Sequence, residues 1–352
     1  MKEITVQSQE EGRRFVRYLE RLLPNAGTGF LYKMLRKKNI TLNHAKADGN
    51  ETLRAGDVIS VFFSDDTYAK MSGVPSDVTS ELHFSKNAVE DSSIVYEDED
   101  LMAVFKPVGV LSQKAEAGDD SLNEMMLQYL AERGDITNES LRAFTPGICN
   151  RLDRNTAGIV WFAKTLRGAQ GMAQIMRGRS VAKFYFALVE GIMQKPVDAK
   201  LYLSKDEESN TVKIFREPSE GCVPVHTEVV PVVSNRRVTL VRVRLFTGKS
   251  HQIRSVCKFL GHPVIGDPKY LPTDADTTAY FRSRYHLHGQ QLFAYAYVFP
   301  EELPEGLSEL AGETVTGLVP DTFFEIMLGE FPKKGEDGYG YLEVPGSEGI
   351  VF

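Results

Sequence analysis

The chain of 352 residues has few cysteines, no long hydrophobic run and no internal repeat. Its three cysteines, Cys149, Cys222 and Cys257, are odd in number and widely spaced. They suggest neither a disulfide framework nor a metal site, and they fit a reducing compartment. No apolar run reaches the ~18 residues that a membrane span needs. Residues 1–5 lack the apolar core of a signal peptide, so we expect a cytoplasmic protein that is not exported.

An excess of basic charge is also lacking, because the net charge is −7. The charge is unevenly distributed, however. Residues 300–352 carry 12 acidic and 2 basic residues, and the remaining 39 basic and 36 acidic residues leave a balance of +3. The first 63 residues hold 11 basic against 7 acidic residues. A local basic face binds a phosphate backbone whatever the chain average, so nucleic acid is not excluded as a partner.

The length and the composition predict two domains. Residues 64–90 lack strong periodicity and contain Gly73, Pro75 and several Ser and Asp residues, a composition typical of a linker. We therefore predict a first domain over residues 1–63, a linker over 64–90, a second domain over 91–332 and a C-terminal tail over 333–352.

The first domain is predicted to contain two helices followed by a short strand. One helix covers 13–23, and the next has its apolar residues on one side. Basic residues crowd the other side and the end of this second helix: Lys33, Arg36, Lys37 and Lys38. The order of elements and the ending L-R-A-G-D-V-I at 53–59 resemble the S-four-type RNA-binding domain. RNA binding by the basic helix is what this resemblance implies; the alternative is a solvated helix end, where cations are favoured anyway.

One polar loop stands out in the second domain. It carries Asp153 between Arg151 and Arg154, and an apolar run over 159–163 follows it, typical of a buried strand. A carboxylate held beside fixed positive charge stays ionised at neutral pH, so Asp153 is a candidate nucleophile. Taken alone, however, an Asp between two arginines is usually a surface ion pair.

The loop sequence N-R-L-D-R-N-T-A-G resembles the signature H-R-L-D-x-x-T-S-G of the RluA-type RNA pseudouridine synthases. Asn150 stands where the family usually has His, and Ala157 where it usually has Ser. The catalytic Asp of the family corresponds to Asp153. Five further segments resemble family signatures in the family's order: Y-E-D-E-D-L-M-A-V-F-K-P-V-G from residue 96, K-F-Y-F-A-L-V-E-G from 183, T-G-K-S-H-Q-I-R from 247, H-P-V-I-G-D-P-K-Y from 262 and L-H-G-Q-Q-L-F from 287.

The resemblance implies an α+β fold. Its catalytic domain would be built on a long, mixed but mostly antiparallel sheet with the active site in a central cleft, beside the small N-terminal α/β RNA-binding domain. The reaction would break the bond between ribose carbon 1′ and uracil nitrogen 1 and join carbon 1′ to uracil carbon 5. It needs no cofactor. No metal is expected either, because His262, His286 and His288 lack the paired spacing of a zinc site.

The resemblance also implies roles for single residues. Asp153 would be the nucleophile or base, Arg254 would pair with it and keep it ionised, and Tyr185 would stack on the target uracil. Arg151 would contact the RNA backbone or hold the flipped strand open. The substrate implied by an RluC-like pattern is large-subunit (23S) ribosomal RNA, with transfer RNA as the alternative, and we expect a monomer.

Two other classes of function are open at this stage. One is an RNA-binding protein with a silent catalytic domain, which the replacement of His by Asn150 would suggest. The other is a carboxylate glycoside hydrolase, which would need a second acid opposite Asp153 that none of the motifs supplies.

Overall fold

The computed structural model describes residues 2–7, 10–72, 89–116, 118–136, 140–141, 144–206, 211–271, 276–304 and 306–331. The predicted tail over 333–352 and most of the predicted linker lie outside these ranges. The described residues form a small N-terminal unit with its own hydrophobic core and a larger unit built on one long sheet.

The N-terminal unit is a three-stranded antiparallel sheet covered by helices. Its elements are β1 (Lys2–Thr5), α1 (Phe15–Leu22), α2 (Thr28–Arg36), β2 (Ile40–Leu42) and β3 (Val58–Val61). The apolar spacing that predicted the two helices corresponds to real burial, since Phe15, Leu19, Leu31 and Leu35 are completely buried. The predicted helices and the predicted strand are confirmed; β1, which pairs with β3, was not predicted.

A third helix, α3 (Asp65–Ser72), lies within the range predicted as a linker. Tyr68 and Met71 pack against the N-terminal core, and the backbone N–H of Asn25 donates to the Met71 carbonyl at 3.0 Å. The N-terminal unit therefore continues past residue 63. It also contacts the larger unit, because Nη2 of Arg21 donates to the Leu141 carbonyl at 2.9 Å.

The larger unit is an eleven-stranded sheet with the order β10-β9-β11-β12-β8-β13-β7-β5-β4, to which β14 and β6 add at β13 and β7. The strands are β4 (Ile94–Glu97), β5 (Leu101–Lys106), β6 (Gly147–Ile148), β7 (Ala157–Ala163), β8 (Ala182–Glu190), β9 (Val197–Asp206), β10 (Thr211–Phe215), β11 (Val223–Ser234), β12 (Val238–Leu245), β13 (Leu292–Val298) and β14 (Thr314–Thr316). Every pairing is antiparallel except that of β13 with β7. The predicted α+β class with a mixed, mostly antiparallel sheet is confirmed.

Helices cover both faces of this sheet. They are α4 (Leu122–Arg133), α5 (Leu166–Gly178), α6 (Gln252–Phe259), α7 (Asp276–Tyr285) and α8 (Asp321–Glu330). Helices α4 and α6 pack on one hydrophobic cluster, α7 and α8 on a second, and α5 on a third that surrounds the fully buried Trp161. None of the helices in the described ranges has the length and apolar character that a membrane crossing requires.

The parallel contact between β13 and β7 depends on a glycine. Gly158 has φ +119°, and a Cβ placed there would lie 2.2 Å from the carbonyl oxygen of Ala294. No side chain fits at that distance. Because β7 directly follows the loop that contains Asp153, the position of this loop depends on the close approach of the two strands.

Replacing Gly158 with Ala should therefore lower the free energy of unfolding by at least about 2 kcal/mol, since it combines a left-handed backbone with a steric clash. Urea unfolding followed by the fluorescence of Trp161, the single tryptophan, measures the change. Gly178→Ala is the matched control, because a Cβ at that position would meet no neighbouring atom within 4 Å. Equal stability of the two variants would show that the β7–β13 contact tolerates a side chain.

Candidate active site

Asp153 and Arg254 meet although about a hundred residues separate them. Asp153 lies in the turn before β7, where its carbonyl accepts from the backbone N–H of Thr156 at 3.0 Å. Arg254 lies in the first turn of α6, and its Nη1 donates to Oδ2 of Asp153 at 2.8 Å. The Arg254 side chain is only 5% exposed, whereas that of Asp153 is 27% exposed. The carboxylate can therefore be reached by a substrate while the cation behind it cannot.

Asp267 holds the other side of the Arg254 guanidinium. Nε and Nη2 of Arg254 donate to Oδ2 and Oδ1 of Asp267 at 2.6 and 2.8 Å. Asp267 is completely buried and also accepts from the backbone N–H groups of Lys269 and Tyr270. Burial alone would lower the pKa of Arg254, but the hydrogen bonds and charges of Asp267 and Asp153 raise it above its ordinary value. The guanidinium is therefore a fixed positive charge.

Sequence reasoning missed Asp267, although the segment G-D-P-K-Y contained the signal. Gly266 has φ +75°, and a Cβ there would lie 2.3 Å from the carbonyl oxygen of Gly289. This tight turn places the Asp267 carboxylate in contact with the guanidinium of Arg254. An acidic residue after such a glycine, downstream of a motif Arg, could have been predicted as the partner of that Arg.

Lys106, in the Lys-Pro-x-Gly segment, was also missed. Its side chain is fully buried, and Nζ donates to the carbonyls of Pro107, Val110 and Arg154 at 3.0, 2.8 and 3.1 Å. Burial lowers the pKa of Lys106 to about 7, although the charge of Asp153 acts in the opposite direction. The lysine ties the turn after β5 to the loop that carries Asp153.

His251 adds a third side chain near the carboxylate. Its backbone has φ +54°, it directly precedes α6, and its Nε2 lies 3.9 Å from Oδ2 of Asp153. Its Nδ1 lies 3.1 Å from the hydroxyl of Tyr270. Burial lowers the pKa of His251, with Asp153 opposing, so the neutral imidazole is favoured at neutral pH.

Tyr185 lies on β8 and is 7% exposed. Burial raises the pKa of its hydroxyl to about 12, a hydrogen bond with Tyr297 lowers it, and the charge of Asp153 raises it further. The phenol is therefore protonated at neutral pH. The structure brings together the three residues predicted for catalysis, Asp153, Arg254 and Tyr185.

The residues predicted to contact RNA are all on the surface, but in two places. Arg151 is exposed next to Asp153. The basic residues of the second helix are exposed on the separate N-terminal unit: Lys33, Arg36, Lys37 and Lys38. In the described ranges no cluster of three His, Cys, Asp or Glu side chains is arranged to hold a metal ion.

Residues 100–259, which include Lys106, Asp153, Tyr185 and Arg254, match the family model described as RNA pseudouridylate synthase. Residues 100–259, which hold the candidate site, therefore form a domain of this family. As a pseudouridine synthase it is an isomerase. The second acid that a glycoside hydrolase needs is not supplied by Asp267, whose carboxylate is completely buried and bound by Arg254.

Relatives from several bacteria match most of the pseudouridine synthase chain. It is 27% identical over 321 residues to the ribosomal large subunit pseudouridine synthase C of Haemophilus influenzae, with 90% of each chain covered. It is 29% identical over 299 residues to the protein of that name from Vibrio cholerae, covering 82% of this chain and 87% of the relative. An uncharacterized RNA pseudouridine synthase of Mycoplasma genitalium is 27% identical over 301 residues, 84% and 88% of the two chains. The resemblance to the RluA type is confirmed.

Solved structures agree in fold. Human RNA Pseudouridylate Synthase Domain Containing 4 superposes with a TM-score of 0.53 at 18% identity, covering 67% of this chain and 92% of that one. The long sheet is thus a pseudouridine synthase fold.

Arg254→Ala should lower the free energy of unfolding by about 3–5 kcal/mol, because it leaves the buried Asp267 carboxylate without its cation. Arg254→Lys should recover part of the loss, since an ammonium cannot bind both oxygens of Asp267 and also reach Asp153. Urea unfolding at neutral pH measures both changes.

The matched control is Arg133→Ala. Arg133 also pairs with a carboxylate, Glu97, but its side chain is 38% exposed, so its loss should cost about 1 kcal/mol or less. If Arg254→Ala cost no more than Arg133→Ala, the buried cluster would not stabilise the fold.

Proposed function

We propose that this pseudouridine synthase isomerises specific uridines of 23S large-subunit ribosomal RNA, with Asp153 as the catalytic acid residue. The observation that carries the catalytic part is the Asp153 carboxylate, which is reachable from solvent while the buried Arg254 binds it from behind. The relatives named ribosomal large subunit pseudouridine synthase C support the ribosomal target.

The chemistry needs one ionised carboxylate at the reacting uridine. The bond between carbon 1′ and nitrogen 1 breaks, a bond between carbon 1′ and carbon 5 forms, and the proton lost from carbon 5 is balanced by one gained at nitrogen 1. Nothing is oxidised or reduced. Asp153 acts as the nucleophile or base, and the fixed charge of Arg254 keeps it ionised when the base displaces water from the site.

The target base has to leave its stack before Asp153 can reach it, which costs a few kcal/mol. The Tyr185 ring at the site offers the flipped uracil a stacking surface. Arg151, exposed two residues before Asp153, contacts the RNA backbone or holds the flipped strand open. None of these steps requires a cofactor.

The N-terminal unit is proposed to act as an S-four-type RNA anchor. Four basic side chains crowd the end of α2, and all are exposed. None of them has an ion pair with an acidic residue in the described part of the chain. Unpaired surface cations of this kind suit phosphate contacts, which position an RNA without reading its sequence.

Asp153→Asn should lower the single-turnover rate by at least about a thousandfold, or ~4 kcal/mol of barrier, while the fold and RNA affinity stay nearly unchanged. The substitution is isosteric and removes only the charge. Rapid-quench assays of pseudouridine formation measure the rate, and Asp135→Asn, at a partly exposed ion pair with Arg133, is the control. A variant that retained more than about a tenth of the rate would show that Asp153 is not the catalytic residue.

The ribosomal target is tested in cells. Pseudouridines are mapped in total RNA from cells with the gene, without it, and with the Asp153→Asn allele alone. We expect the same 23S positions to be lost in the last two strains. If pseudouridines were lost from transfer RNA alone, the proposed ribosomal target would be wrong. The proposed catalytic role of Asp153 would be unaffected.

Neutralising the basic helix with Gln at 33, 36, 37 and 38 should raise the half-saturating RNA concentration without changing the rate at saturation. The logarithmic salt slope of binding should flatten by about 0.7 for each phosphate that the variant no longer binds. Filter binding over a series of salt concentrations measures the slope. The control replaces Lys33, Lys37 and Lys38 with Arg, which keeps the charge; equal slopes for both variants and the unmodified protein would mean that this helix does not anchor RNA.

A further inference from the structure

We propose that Asn150 and Tyr297 are positioning residues that orient the hydroxyl group of Tyr185 in the active site. The proposal rests on the proposed function, because it gives Tyr185 a hydroxyl that matters to the reaction. It goes beyond that function by assigning a role to two residues outside the catalytic set.

The side-chain amide of Asn150 has only one orientation that satisfies its neighbours. The backbone N–H of Trp161 donates to Oδ1 of Asn150 at 2.7 Å, which identifies that atom as the oxygen. Nδ2 then donates to the carbonyl of Ile159 at 3.3 Å and to the hydroxyl oxygen of Tyr297 at 2.9 Å. Asn150 is thus held by the backbone of β7 and presents a donor to Tyr297.

Tyr297 in turn forms a hydrogen bond with Tyr185. Its oxygen already accepts from Asn150, so its proton is directed to the Tyr185 oxygen, in agreement with the lowering of the Tyr185 pKa by this hydrogen bond. Burial raises the pKa of Tyr297 well above its ordinary value. Tyr297 is therefore always protonated and always available as a donor.

A β-bulge places Tyr297 on the correct side of its strand. Ala294 is paired with Tyr185, but the next pair in register on β13 is Ala296, so one residue is extra. The shift pairs Tyr297 with Lys183, which lies on the same side of β8 as Tyr185. Without the bulge, Tyr297 would be directed to the opposite face, since a slip of one residue exchanges the two faces.

The chain of donors leaves the proton of Tyr185 free. Asn150 donates to Tyr297, and Tyr297 donates to Tyr185, so the proton of the Tyr185 hydroxyl is not used within this series of hydrogen bonds. This proton is available to a polar atom of the substrate base. The chain also gives a reason for tolerating Asn150 where the family has His. A neutral imidazole has one acceptor and one donor, enough for the bonds to Trp161 and Tyr297 but not for the longer third bond to Ile159.

The test is a double-mutant cycle. Tyr297→Phe and Asn150→Leu should each lower the single-turnover rate at saturating RNA about tenfold, the equivalent of one hydrogen bond, with the half-saturating RNA concentration within about twofold of the original. In a Tyr185→Phe background, neither substitution should lower the rate further, because the group that it positions is absent. Asn150→His should retain the original rate.

The matched control is Tyr295→Phe. Tyr295 lies two residues before Tyr297 on β13, is buried, and has no hydrogen-bond partner for its hydroxyl among the described residues, so its variant should keep the full rate. Equal losses from Tyr297→Phe with and without the Tyr185 hydroxyl would mean a general structural role and overturn the proposal. Full activity of Tyr185→Phe would overturn it as well. Both results leave the Asp153→Asn test unaffected, so failure of this proposal is distinct from failure of the proposed function.

Discussion

The guanidinium of Arg254 is shared by two carboxylates of different exposure, and the arrangement of the site depends on this sharing. Two of its nitrogens bind the buried Asp267, and the third binds the partly exposed Asp153. Taking an arginine out of water is costly, and the bidentate pair with Asp267 offsets that cost. The buried pair is neutral as a unit, so the Asp153 carboxylate gives the cluster a net negative charge on its partly exposed side.

This arrangement requires three distant parts of the chain to arrive together. Helix α6 supplies Arg254, the tight turn at Gly266 supplies Asp267, and the loop before β7 supplies Asp153. The loop is held in turn by the buried Lys106 and by the close approach at Gly158. The same contacts therefore stabilise the fold and position Asp153. A substitution of Gly158, Gly266 or Lys106 should change both the stability of the protein and the position of Asp153.

The amino-acid sequence predicted the motifs and the elements that carry them, because apolar periodicity and signature spacing are local. The helix with Leu31 and Leu35 inward and the buried run over 159–163 were predicted from these patterns. The pairing of Asp153 with Arg254 was implied only by the family resemblance. Lys106 was missed since one of its acceptors, the Arg154 carbonyl, lies 48 residues away. Asp267 lies only 13 residues from Arg254 and was missed since their pairing depends on the conformation of the turn at Gly266. Helix α3 was missed because its weak periodicity resembles a linker, although Tyr68 packs on the core.

Asn150 was the one residue that suggested a silent catalytic domain, and its contacts remove the basis for that suggestion. A silenced site loses the reacting group or the charge that supports it, yet Asp153 and Arg254 are in hydrogen-bonding contact. Asn150 does not touch this pair; it bonds to the backbone of β7 and to Tyr297. Either His or Asn can accept from the Trp161 N–H and donate to Tyr297, and only the additional bond to the Ile159 carbonyl requires the amide. The departure from the motif therefore leaves the contact between Asp153 and Arg254, the pair proposed for catalysis, in place.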